Sequence, residues 1–202
     1  MGKRTWLLVA ALLLLPAGPA AAQIAWDAPW LVPPGPRPGF GIFLMDVYGG
    51  GLGVMGSWRS PTGRYGLRGG IAEDPRDDLG GFGGVDFSGP ITRASYDFPL
   101  DVDWVFGAGL GVADWVRVSV PFGINLGHTF RDGGAAFTPY ITPRVVFDAL
   151  FRGNNDERGD DSEADLDFAA DIGLDLRFPR TGFLVRFGGT LGRDAVAVGL
   201  VF

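Results

Sequence analysis

Between Asp165 and Phe178 the chain alternates apolar and polar residues almost without a break. Leu166, Phe168, Ala170, Ile172, Leu174, Leu176 and Phe178 share one parity; Asp165, Asp167, Asp171, Asp175 and Arg177 share the other. A helix would scatter these charges around its circumference, whereas a strand gathers them on one face. The same period recurs upstream. Val116, Val118, Val120, Phe122, Ile124 and Leu126 oppose Arg117, Ser119, Gly123 and Asn125. Leu100, Val102, Trp104, Phe106, Ala108 and Leu110 oppose Asp101, Asp103 and three glycines. The last segment repeats it: Val196, Val198, Leu200 and Phe202 lie on one face, Ala195, Ala197, Gly199 and Val201 on the other.

From Gly39 onward, segments of about ten residues are separated by turn chemistry, as transmembrane barrels require. Strands are predicted over 39–48, 51–59, 64–73, 79–90, 96–112, 115–128, 136–149, 165–178, 182–191 and 194–202. The fold class is therefore all-β: an up-and-down antiparallel transmembrane barrel of about ten strands. Eight is the alternative, if the glycine-rich windows near 39–59 or 79–90 are not separate strands. A soluble sandwich would show a similar period. The charges decide between them: they recur every few residues within the strands, and a barrel places them in its lumen.

The start of the chain sets the compartment. Lys3 and Arg4 precede an apolar run from Trp6 to Leu15, and Ala20, Ala21 and Ala22 form a small-residue cleavage site. Residues 1–22 read as a secretory signal, with the mature chain beginning at Gln23. The run is shorter than the roughly 20 residues a spanning helix needs. Insertion must then be as a closed barrel, the other structure that satisfies every backbone group in lipid. The chain has no cysteine, which excludes disulfides, thiolate catalysis and zinc–thiolate sites. Lys3 is the only lysine. Removing Lys3 and Arg4 takes the formal charge of −6 to about −8, which argues against a nucleic-acid partner.

Residues 23–38 (QIAWDAPWLVPPGPRP) are proline-rich and lack alternation, and read as an extended periplasmic tail before a barrel domain at 39–202. Short connectors at Ser60–Gly63, Arg131–Gly134 and 179–181 are expected to face the periplasm. The connectors at 73–78 and 152–164, the second long and acidic, are expected outside. Trp58, Tyr65, Phe178, Phe183 and Phe202 fall near the inner strand ends, and Tyr48, Trp115, Phe147 and Phe151 near the outer ends, as aromatic girdles. Two features fit poorly. Pro139 and Pro143 sit inside a predicted strand, where bulges or a distorted ladder are expected. The first strand has no clean phase, since Phe40, Ile42 and Leu44 and also Phe43, Met45 and Val47 are apolar.

The inward parity collects the candidate site. Its acids are Asp86, Asp101, Asp103, Asp148, Asp165, Asp167, Asp171 and Asp175; its bases are Arg59, Arg64, Arg68, Arg117, Arg144, Arg177 and Arg186. In a narrow lumen such groups pair, and arginine suits pairing through its bidentate fork and permanent charge. Paired charges would close the barrel; segregated ones would leave a polar conduit. No catalytic, cofactor or metal site is predicted. His128 is the only histidine and sits at a turn. The acids around 156–163 lack the ordered spacing of a calcium loop. The glycine clusters are followed by no lysine and open no helix, so they are not phosphate loops; in strands they relieve crowding or permit curvature.

The signal, the alternating strands and the terminal Phe202 together resemble the small bacterial outer-membrane β-barrel proteins of the opacity or general outer-membrane barrel type. The resemblance covers about 39–202. It implies residence in outer-membrane lipid and recognition by the barrel-assembly machinery through Val196, Val198, Leu200 and Phe202. Small or aliphatic residues stand here where many members carry a second aromatic. The resemblance implies no enzyme chemistry. It leaves a structural or surface-interaction role, with a narrow passive pore for ions or small solutes as the alternative.

Overall fold

A computed structural model describes residues 24–47, 51–73, 79–113, 115–152, 162–178 and 182–202. The predicted signal and the 179–181 connector lie outside these residues, as does most of the acidic loop. The strands are β1 (Gly39–Val47), β2 (Gly51–Arg59), β3 (Tyr65–Glu73), β4 (Leu79–Thr92), β5 (Asp101–Val112), β6 (Trp115–Gly127), β7 (Phe130–Asp132), β8 (Ala135–Arg152), β9 (Ser162–Arg177), β10 (Leu184–Leu191) and β11 (Ala195–Val201). Neighbours in sequence pair antiparallel, and β1 pairs with β11 from Gly41↔Val201 to Asp46↔Val196, which closes the sheet. β7 carries the register of β6 onward against β8, so the two form a single stave and the barrel has ten. There is no helix among the described residues. The eight-strand alternative is corrected: the glycine-rich windows form β1, β2 and β4 as separate strands.

Prolines account for the gaps in the ladder. The β6–β8 pairing is interrupted between Gly123↔Arg144 and Leu126↔Ile141, where Pro143 falls, and again after Gly127↔Tyr140, where Pro139 falls. The β5–β6 pairing is interrupted between Phe106↔Phe122 and Gly109↔Ser119, opposite Pro121. Each lacks the N–H that its neighbour would accept. The register is the same on both sides of each gap, so these are missing rungs and not bulges. The one register shift recorded along β4–β5 is at Pro90–Thr92.

The sheet is inside out relative to a soluble sandwich. Phe40, Ile42, Leu44, Leu52, Phe168 and Ile172 are exposed on its outer face. Arg68, Asp86, Asp103, Arg117, Arg144, Asp148, Asp171, Asp175 and Arg186 are buried on its inner face. A sandwich buries its apolar parity; here that parity faces outward, the arrangement of a transmembrane barrel. At the end that carries Gly39 and Phe202, Trp58 and Tyr65 meet edge to face at 5.7 Å, and Tyr65, Phe178 and Phe202 are exposed.

The proline-rich segment departs from expectation. It is not a tail outside the barrel. Ile24 to Pro33 are buried. Pro36 lies beside Gly63 in the β2–β3 turn, whereas Ile24 lies beside Gly80 and Gly111 at the opposite end. The segment therefore threads the barrel along its length, and we refer to it as the strap. It also explains the first strand. Phe43, Met45 and Val47 point inward and join one buried cluster with Ile24, Trp26, Trp30, Leu31 and Val32 of the strap. β1 is apolar on both faces because one is the exposed outer face of the barrel and the other meets the strap.

Ile42, at mid-strand and 60% exposed, tests the outer face. Ile42→Arg is expected to cost about 2–4 kcal/mol of insertion and to reduce the heat-modifiable folded band after refolding into lipid vesicles. An undiminished folded band would mean that this parity does not face lipid.

Candidate functional site

The barrel interior is the candidate site, and the strap runs through its middle. Asp27 is its charged centre. It pairs with Arg144 of β8, and with Arg193 of the β10–β11 turn at 3.2 Å. Arg144 also donates to the Asp27 carbonyl at 3.1 Å and to Asp171 through Nε at 2.6 Å. Asp171 in turn accepts from the Trp30 backbone N–H at 2.9 Å and from the Thr190 hydroxyl. Arg193 reaches Asp148 and, at 3.5 Å, Asp167, while Arg117 pairs with Asp148 at 2.7 Å. Thus one strap carboxylate is tied directly to β8 and to the β10–β11 turn, and through their arginines to Asp171 of β9 and Asp148 of β8. β10 and β11 supply their link through a turn in which Asp194 has a positive φ of 36°.

Toward the Gly39 end the strap is held by its carbonyls. Arg186 donates to Leu31 O at 2.9 Å while gripping Asp175 with two nitrogens at 2.7 and 2.8 Å. Arg68 donates to Pro29 O at 3.3 Å, pairs with Asp86 at 3.2 Å and lies over the Trp30 ring at 4.8 Å. Asn125 donates to Val32 O, and Trp26 Nε1 to Ser119 O at 3.0 Å. Where the chain leaves the barrel, Asp103 accepts from Gly35 N at 2.6 Å and from Arg93 at 2.5 Å. Without strand pairing, the strap has the carbonyls of Asp27, Pro29, Leu31 and Val32 and the N–H groups of Trp30 and Gly35 met by wall side chains, while the N–H groups of Ala28 and Val32 bond within the strap, as burial demands.

Glycines make the room. Trp26 and Trp30 pack edge to face at 5.5 Å. A Cβ on Gly84, Gly107 or Gly109 would overlap one or both rings, and one on Gly80 or Gly111 would overlap Ile24. Gly188 stands in the same relation to Leu31. The strand glycines on this side of the barrel are thus the socket for the strap's large side chains.

Of the inward charges expected from sequence, Arg59, Arg68, Asp86, Asp103, Arg117, Arg144, Asp148, Asp167, Asp171, Asp175 and Arg186 are brought into ion pairs inside or at the mouth. Arg64, Asp165 and Arg177 form no ion pair among the described residues: they sit exposed toward strand ends, where the inward parity no longer faces an enclosed space. Asp101 is half-buried and accepts from Ala94 N at 3.1 Å, capping the β4–β5 connection. Sequence reasoning missed Asp27, Arg93 and Arg193, because none lies in an alternating segment. A signal for Asp27 was present: an acid between two tryptophans, Trp26 and Trp30, in a segment too apolar for a solvated leader. Among the described residues no group of three or more His, Asp or Glu is placed to hold a metal ion. His128 stacks edge to face on Phe130 at 4.6 Å, at the barrel's end.

No protein-family model matches the chain, and no curated protein matches it in sequence. Among solved structures it is similar to Ail, the attachment invasion locus protein of Yersinia pestis, crystallised with the heparin analogue sucrose octasulfate. The identity is 10% and the TM-score 0.24, over 81% of this chain and 90% of that one. The fold itself, read from its closure and its inverted faces, is that of a small, closed antiparallel β-barrel with an apolar outer face.

The socket yields a direct test. Gly84→Ala places a methyl group against the Trp26 ring and is expected to destabilise the folded protein by about 1–3 kcal/mol through overpacking. The same change at Gly133, where nothing lies within 4 Å, meets no such contact, though its positive φ of 56° adds some strain. Urea titration of both variants separates the two effects. A Gly84→Ala protein as stable as the parent would mean that Trp26 does not pack on that wall.

Proposed function

We propose that the chain is a non-enzymatic integral outer-membrane protein whose barrel is closed by its own strap and braced by arginine–aspartate pairs, with a structural and surface-contact role. The observation that carries this reading is Asp27, fully buried between Arg144 and Arg193. An ion pair at that depth is lost only by leaving charges uncompensated, at about 3–5 kcal/mol for a missing partner. Apolar packing of Trp26, Trp30 and Leu31 adds to the hold. A barrel so filled leaves no continuous aqueous path, and its contacts are made by what it presents outside.

In this reading the end with Gly39 and Phe202 faces the periplasm, and the acidic 152–164 connector faces out. Secretion under the 1–22 signal, with cleavage after Ala22, fits a strap whose Ile24 lies at the far end of the barrel. Lipid contacts the exposed outer parity. The outward residues Val196, Val198, Leu200 and Phe202 are the surface offered to the assembly machinery.

A narrow passive pore is the second reading. It is favoured by the wall beneath the strap, which stays polar: Ser119, Asn125, Thr142 and Thr190 are all inward and buried. Planar-bilayer recording separates the two. The full mature chain is expected to insert without conductance steps, whereas a chain lacking residues 24–36 is expected to give them. Steps of equal size from both proteins would favour the pore and count against the strap as a closure.

A further inference from the structure

We propose that the Gly39 end of the barrel binds one small inorganic anion of about chloride's size, in a crevice between the strap and the wall. A cavity of about 20 Å³ lies there, lined in part by Arg37 of the strap, Trp58 and Arg59 of β2, Arg68 of β3, Asp86 of β4 and Arg186 of β10. That volume has room for about one water-sized particle, so a monatomic anion fits it better than sulfate, phosphate or an organic carboxylate.

The charges around the cavity do not balance. Arg59 and Arg68 share Asp86, and Arg186 is matched by Asp175. Arg37 has no carboxylate in ion-pair contact among the described residues. Four guanidinium groups thus face two carboxylates. Two of the lining residues also bury a nitrogen without a hydrogen-bond partner, Arg59 Nη1 and Arg68 Nε. The Arg68 side chain is only 4% exposed. Buried cationic charge short of carboxylate is costly to hold, and an anion lodged beside these groups offsets it. Crowding is felt at the rim as well: burial first, and then Arg177 nearby, lower Arg37 from the ordinary guanidinium range, with Asp175 opposing. The opposite end of the interior carries no such excess, since Arg117, Arg144 and Arg193 there meet Asp27, Asp148, Asp167 and Asp171.

The test is chloride-35 NMR on the folded, full mature chain in neutral maltoside micelles. Chloride linewidth is expected to exceed that of micelles alone, and bromide is expected to reverse the excess where sulfate at equal ionic strength does not. Arg37→Gln removes a rim charge that has no ion pair, so folding is preserved and is checked by gel mobility. It is expected to weaken chloride binding about two- to fivefold. Arg64→Gln, exposed at the neighbouring turn and outside the cavity, is expected to leave it unchanged. The proposal is overturned by a linewidth no greater than that of micelles alone. Equal loss in both variants, or competition by sulfate as strong as by bromide, overturns it too, since either marks diffuse surface charge.

Discussion

Closure of the sheet through β1 and β11 is the constraint from which the other features follow. Lipid offers no partner to an unpaired strand edge, so the ladder must run full circle. A circle of about eight strands is just filled by its own side chains; ten enclose more room. That room must be occupied by water or by protein. Here the strap occupies it, and the wall is fitted to the strap: glycines where Trp26, Trp30 and Ile24 lie, arginines where its carbonyls need donors, and a cationic pair around Asp27.

The charges inside this barrel are better understood as addresses than as a store of stability. Desolvating a carboxylate and a guanidinium costs several kcal/mol per ion, and their attraction does little more than offset it. What such pairs do supply is discrimination. The strap could slide or reverse and still bury its tryptophans, but only one depth sets Asp27 between Arg144 and Arg193, with Leu31 O at Arg186 and Gly35 N at Asp103. Apolar burial fills the lumen; the ion pairs fix where each residue of the filling sits.

Most of the barrel was legible in the sequence, because a strand's period of two is a local property. Asp165 to Phe178 announce β9 without help from the rest of the chain, and the inward arginines and aspartates follow from the same parity. The errors lie where local pattern ends. Arg64, Asp165 and Arg177 keep the inward parity but stand at strand ends, where there is no enclosed space to face. The strap reads locally as a tail because threading is a long-range fact: Asp27 and Arg144 are 117 positions apart. Two clues were nonetheless written in the sequence. β1 is apolar on both faces, which a water-filled lumen would not require. Glycines also recur on the inward parity, at Gly80 and Gly84 of β4 and Gly107, Gly109 and Gly111 of β5, where the strap crowds the wall from within.

Because the chain contains no cysteine, a single introduced thiol reports on the strap alone. Ala28, 1% exposed in the middle of the strap, is the position to choose. An Ala28→Cys protein folded in lipid vesicles should resist a water-soluble maleimide added to both faces, and react fully once unfolded. Labelling of the folded protein at the rate of the unfolded chain would place the strap outside the barrel and contradict the account.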